Sequence, residues 1–161
     1  MKNRKPTIVL GADHAGFKVK EYLKRLLAEK GYQTEDVGTY DQESVDYPDF
    51  AERVGRKVSG KKTRQGVLSC GTGVGASIAA NKVPGIRAAL AYSPRVARLS
   101  REHDDANVLV LEGRPFRKER ARKILNAWLK AAFSGGRHLR RVRKISAIEK
   151  KFSPGAARRN R

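Results

Sequence analysis

Residues 66–87 read Gly-Val-Leu-Ser-Cys-Gly-Thr-Gly-Val-Gly-Ala-Ser-Ile-Ala-Ala-Asn-Lys-Val-Pro-Gly-Ile-Arg. Val67, Leu68 and Ser69 form a short apolar run, and Gly71, Gly73 and Gly75 then free the backbone to turn and present consecutive N–H groups. The small residues from Ala76 to Ala80 open a helix whose N-terminal partial charge points at the same place. The pattern is strand, turn, helix with an anion cradle at the turn. Cys70, the single cysteine, stands where strand becomes loop. A thiol among free amides at a helix N-terminus is expected to have a lowered pKa, which favours a base or a nucleophile. A lone cysteine at a strand end also suits a small buried hydrophobe, and the glycine cradle tips the reading toward chemistry.

The stretches on either side repeat the pattern. Thr7–Leu10 read as a buried strand running into Gly-Ala-Asp-His-Ala-Gly at 11–16, which brings Asp13 and His14 to a strand-to-helix turn. Phe17, Tyr22, Leu23, Leu26 and Leu27 then fall near helical spacing up to Gly31, and a second strand follows at 33–37. Pro48 suits a first helical turn, with Phe50, Val54 and Val58 on one face. Beyond the cradle come a strand at 87–91, a helix at 94–102 and a strand at 108–111. A long amphipathic helix carries Ile124, Leu125, Trp128, Leu129 and Phe133, and Gly135 and Gly136 break it. This alternation predicts an α/β domain: a five-stranded parallel sheet with helices on both faces and a composite site at the strand carboxyl ends. A last helix over 138–152 has Leu139, Val142, Ile145 and Ile148 on one stripe with nothing left to cover it, which predicts packing on a partner subunit.

The chain has 161 residues, 36 Lys and Arg against 16 Asp and Glu, and a formal charge of +20. One domain over residues 1–152 is expected, followed by a basic, disordered tail over 153–161. One cysteine excludes an internal disulfide framework, no apolar run reaches the length of a membrane span, and a cytoplasmic protein is the default reading. The charge favours anionic partners: phosphorylated metabolites, nucleic acid or an acidic surface.

Two nucleotide motifs are tested and set aside. The spacing of Gly11 and Gly16 superficially matches a P-loop, but Phe17 and Lys18 stand where lysine and a hydroxyl are required. Gly71-x-Gly73-x-x-Ala76 fits a relaxed dinucleotide-binding pattern, yet the next strand ends in Tyr92-Ser93 and no acid follows before Glu102. A nucleic-acid-binding module is the rival class. Ten Lys or Arg and one acid, Glu149, lie between Arg137 and Arg161, with Phe152 the one aromatic residue for stacking.

From Thr7 to about Lys151 the chain resembles the type B ribose-5-phosphate isomerases and the related galactose-6-phosphate isomerase subunits. The resemblance lies in Gly-Ala-Asp-His-Ala-Gly-Phe, Ser-Val-Asp-Tyr-Pro-Asp, Cys-Gly-Thr-Gly-Val-Gly, Ala-Ala-Asn-Lys-Val-Pro-Gly-Ile-Arg-Ala, Ser-Arg-Glu-His-Asp-Asp-Ala-Asn-Val-Leu and Gly-Gly-Arg-His. It implies a Rossmann-like αβα sandwich that acts on a sugar phosphate without metal or cofactor. It also implies a homodimer or homotetramer whose active site is shared between subunits. Position by position, it makes Cys70 the base that moves a proton between C2 and C1, and His103 the acid that opens the furanose ring. Amides from Gly71, Thr72, Gly73, Val74 and Gly75, with the Thr72 hydroxyl, would hold the enediolate oxygen. Asp13 and His14 match substrate-binding positions, and Arg114, Arg137 and Arg141 match phosphate ligands. A subgroup of the family uses a glutamate where this chain has Ala76, so the cysteine version applies. The family has Asn after the acid histidine and this chain has Asp104, which bears on the choice between ribose 5-phosphate and a six-carbon aldose phosphate. Arg140 and Arg143 read as a solvated face, His138 as a structural residue, and the tail as a non-specific nucleic-acid contact.

Overall fold

The computed structural model describes residues 5–153. Five strands, β1 (Thr7–Ala12), β2 (Thr34–Asp36), β3 (Arg64–Cys70), β4 (Ala88–Leu90) and β5 (Val108–Glu112), form one sheet in the order β2-β1-β3-β5-β4. All four strand pairs are parallel, and the longest register runs from Thr7 opposite Arg64 to Ala12 opposite Ser69. Six helices connect and extend the strands: α1 (Phe17–Glu29), α2 (Tyr47–Val58), α3 (Val74–Ala80), α4 (Pro94–Asp104), α5 (Lys118–Lys130) and α6 (Gly136–Phe152).

Strand side chains alternate between two cores, as the two-residue period requires. Ile8, Leu10, Val67, Leu109 and Leu111 pack against α1, α4 and α5, with Trp128 fully buried among them. Val9, Leu68, Cys70, Val108 and Val110 face α2 and α3. A sheet covered on both faces explains the near-continuous apolar runs of β1 and β5. The chain leaves β1 toward β2 on one side and reaches β3 on the other, so its direction reverses between β1 and β3. In such sheets the ligand crevice opens at the strand carboxyl ends beside this reversal.

Local chemistry sets the helix ends. Pro48 lies in the first turn of α2, and Pro94 opens α4 while the Ser93 hydroxyl accepts from the Val96 N–H at 3.2 Å. Three sequence expectations are corrected. α3 starts at Val74 rather than Ala76, because Gly73 takes a left-handed φ of 82° and turns the chain directly into the helix. α5 ends at Lys130, so Phe133 lies outside it in the connection to α6. In α1 the buried set is Val19, Lys20, Leu23 and Leu27. Lys20 tolerates burial because Asp36 at 2.6 Å and Glu21 at 2.7 Å take its charge.

No described helix is long and apolar enough to cross a membrane. The expected disorder of 153–161 concerns residues that, apart from Ser153, lie outside the described chain.

The β1–α1 turn lies on the end of β3. A Cβ added at Gly16 would stand 2.1 Å from the Ser69 carbonyl oxygen. Gly16→Ala is therefore expected to cost about 2–3 kcal/mol through overpacking of backbone that cannot yield. A lowered urea midpoint with an unchanged m-value checks this.

Candidate active site

Three turns meet at the carboxyl edge of the sheet. The first carries Asp13 and His14, the second Cys70 to Gly75, and the third Gly113 and Arg114. The Gly113 N–H donates to the carbonyls of Cys70 and Gly71 at 2.8 and 2.9 Å, and the Arg114 N–H donates to Gly71 at 3.1 Å. Asp13 is 6% exposed, and its Oδ1 accepts the Gly16 N–H at 2.9 Å, which fixes the carboxylate over the start of α1. The His14 Nδ1 contacts the Val45 N–H at 3.2 Å and so ties the loop before α2 to the same edge. Thr72 is exposed, and its hydroxyl accepts from the Val74 N–H at 3.3 Å.

Cys70 is buried at the centre of this edge, 6% exposed. Backbone N–H groups of Gly73 and Ala76 act on its sulfur as the glycine cradle predicts, yet the thiol pKa is raised rather than lowered. Burial is the largest cause and the Asp13 carboxylate the next, and together they outweigh the two amides. α3 has only seven residues, so its dipole adds little beyond those two N–H groups. The expectation of a lowered thiol pKa is corrected on these grounds.

Tyr47 belongs to this edge as well. A Cβ at Gly75 would lie 2.5 Å from its ring Cζ and 2.9 Å from its hydroxyl, so the phenol rests directly on the cradle. Sequence reasoning used Pro48 to place a helix start and passed over the tyrosine before it. Its presence in the Ser-Val-Asp-Tyr-Pro-Asp stretch was the available signal.

The remaining candidates gather elsewhere. His103 and Asp104 close the last turn of α4, Arg137, His138 and Arg141 lie at the start of α6, and the two imidazoles stack at 4.1 Å with 7° between their planes. His138 is buried and its pKa lies below the ordinary imidazole range, first through burial and then through the neighbouring His103, Arg137 and Arg141. Asp104 is exposed and acts on His138 in the opposite direction. Among the described residues its carboxylate makes no ion pair; its main-chain carbonyl accepts from the Arg87 Nε at 3.0 Å.

This second cluster is at the other edge of the sheet. α4 runs back against the strands and delivers Asp105 and Ala106 to the start of β5 at Val108, whereas Cys70 is level with Glu112 at its end. At roughly 3.3 Å per residue, β5 alone holds the two edges about 13 Å apart. Within one chain, then, Asp13, His14, Cys70, Gly71, Thr72, Gly73, Val74, Gly75 and Arg114 come together. His103, Asp104, Arg137 and Arg141 come together separately, and Arg114 cannot pair with Asp104. No group of three or more His, Cys, Asp or Glu among the described residues is arranged to hold a metal ion.

Residues 8–145 match the profile of the Ribose/Galactose Isomerase family. The chain belongs to that family. Ribose-5-phosphate isomerase B of Escherichia coli K12 is 46% identical over 144 residues, covering 89% of this chain and 97% of that protein. The solved ribose-5-phosphate isomerase B of Clostridium thermocellum superposes with a TM-score of 0.88 at 51% identity, covering 91% of this chain and 99% of that one. The Mycoplasma genitalium structure with bound ribulose-5-phosphate has a TM-score of 0.86 at 44% identity, covering 90% and 97% of the two chains. The five-stranded parallel α/β architecture expected from the alternation of elements is the architecture these structures share.

The environment of Cys70 makes a pH prediction. Alkylation by iodoacetamide requires the thiolate, so its rate should rise with pH through a midpoint above the ordinary thiol value. Asp13→Asn removes a raising influence and should move the midpoint down, giving faster alkylation at pH 8. Alkylation rates measured against pH in both proteins test the sign.

Proposed function

We propose that this protein is an aldose-ketose isomerase interconverting D-ribose 5-phosphate and D-ribulose 5-phosphate, with Cys70 as base and His103 as ring-opening acid. The observation that carries the reading is the buried Cys70 thiol at the strand reversal, with the Gly73 and Ala76 amides directed at it and an open amide turn beside it. The relative that holds ribulose-5-phosphate supports the substrate class.

The chemistry follows from the groups present. His103 gives a proton to the ring oxygen as the C1–O bond breaks, and the anomeric hydroxyl gives its proton to water as it becomes the aldehyde. The Cys70 thiolate takes the C2 proton, and the electron pair moves through C1 to the carbonyl oxygen. The amides from Gly71 to Gly75 and the Thr72 hydroxyl hold the resulting enediolate charge. The O2 proton passes to O1, the thiol returns its proton to C1 as the electron pair folds back from O2, and the ketose is formed with no net gain or loss of protons. Asp13 and His14 hold sugar hydroxyls, Arg114, Arg137 and Arg141 hold the phosphate, and Tyr47 walls the cradle.

Two observations favour a site completed by a second copy of the chain. The acid and two phosphate arginines stand at the edge opposite the base. Among the described residues, moreover, no positive charge acts on the thiol to offset burial and Asp13. A homodimer, or a homotetramer of such dimers, that sets the His103 cluster of one copy over the Cys70 edge of another supplies both. The exposed Ile145, Ile148 and Phe152 of α6 are the apolar surface for that contact. We place this assembly in the cytoplasm, in carbohydrate metabolism.

Isomerisation of ribose 5-phosphate by the purified protein is the direct test, with allose and galactose 6-phosphates run beside it. Cys70→Ala is expected to abolish turnover while retaining sugar-phosphate binding. Normal turnover in that variant would overturn the assignment of the base.

The shared site has its own check. Cys70→Ala and His103→Asn should each be inactive, and co-refolding them in equal amounts should restore about a quarter of wild-type activity, because half of the dimers carry one intact site. If mixed dimers are seen by native mass spectrometry and no activity returns, the two clusters do not act across subunits.

A further inference from the structure

The five cations on the outward face of α6 have no part in the isomerase reading. At about 3.6 residues per turn, Arg140, Arg143, Lys144, Lys150 and Lys151 fall on one stripe opposite the buried His138 and Val142. All five are exposed, and among the described residues none makes an ion pair. Arg137 and Arg141 point along a different flank, with Ile145, Ile148 and Phe152. That apolar set borders a groove of ≈ 690 Å³ shared with Ile86, Ala88 and Ala89. The helix is thus divided in three: a buried face, a flank with the phosphate arginines and apolar residues, and a basic outward stripe.

We propose that the outward stripe of α6 binds the phosphodiester backbone of nucleic acid, separately from the sugar-phosphate site. From Arg140 to Lys151 the stripe is about 16 Å long, long enough to meet several successive phosphates. Its middle is a shallow recess lined by Gly136, Leu139, Arg140, Arg143, Lys144 and Ala147, with no acid. The one acid of the helix, Glu149, is turned inward, where its Oε1 accepts the Gly85 N–H at 2.8 Å. The stripe carries no aromatic ring for base stacking and no amide side chain for reading base edges, so it contacts backbone irrespective of sequence. A membrane surface is a poorer fit, because Ile145, Ile148 and Phe152 line the groove with Ile86, Ala88 and Ala89.

The test is fluorescence anisotropy of the full-length protein with labelled single-stranded RNA and duplex DNA of two unrelated sequences each, titrated across salt. Binding should be alike for the two sequences of each type and weaken steeply with salt. A log–log slope of about −2 to −4.5 is expected for three to five neutralised phosphates. Arg140→Glu/Arg143→Glu/Lys144→Glu should weaken binding at least about tenfold and flatten the slope by roughly 2. Its isomerisation of ribose 5-phosphate, or in the absence of that activity its far-UV spectrum and melting temperature, should match the wild type and so exclude misfolding. Undiminished binding by the triple variant would overturn the proposal. So would complete loss on changing only Arg158, Arg159 and Arg161 to Gln, or preferential capture by phosphatidylserine vesicles over nucleic acid.

Discussion

The contact between the Asp13 carboxylate and the Cys70 thiol is the constraint on which the functional half of the molecule rests. Both side chains are buried at adjacent strand ends, and a negative charge beside a thiol opposes its ionisation. Asp13 is held there by the Gly16 N–H, and Gly16 lacks a side chain because the Ser69 carbonyl leaves no room for one. The amides of Gly73 and Ala76 act in the opposite sense, but two neutral donors do not cancel burial and a full charge. A thiol so placed stays protonated at neutral pH unless positive charge is brought close to it.

That charge is present in the molecule at the wrong edge for use within one chain. Arg137 and Arg141, at the start of α6 with the stacked His103 and His138, form a cationic group at the amino ends of the strands. His138 resists protonation because it is buried among these neighbours, so protonation below the ordinary imidazole range works against the native arrangement and stability falls as pH drops. Each edge carries what the other lacks, and the proposed assembly joins them by the same symmetry operation twice.

Much of this was legible in the residues. The strand-turn-helix stretch at 66–80 and the recurrence of its pattern were enough for the sheet, its parallel sense and the crevice, because short continuous apolar runs and glycine turns are local signals. The thiol pKa was not, since it depends on burial and on Asp13, which is far away in sequence and adjacent only after β1 pairs with β3. The separation of His103 from Cys70 was equally hidden: helical spacing predicts α4 but not which edge receives its end. Tyr47 was overlooked because its role is to touch Gly75, a tertiary contact with no periodic trace. Lys20 falls between the apolar positions of α1 with no local sign of burial, which the place of Asp36 on β2 makes tolerable.

The pairing of β1 with β3 has a consequence for how the chain emerges during synthesis. β1 lies inside the sheet, yet one of its edges has no neighbour until α1, β2 and α2 have been made and residues 64–70 follow. Until then Val54, Val58 and one edge of β1 are open to water and to other nascent chains, a state prone to aggregation.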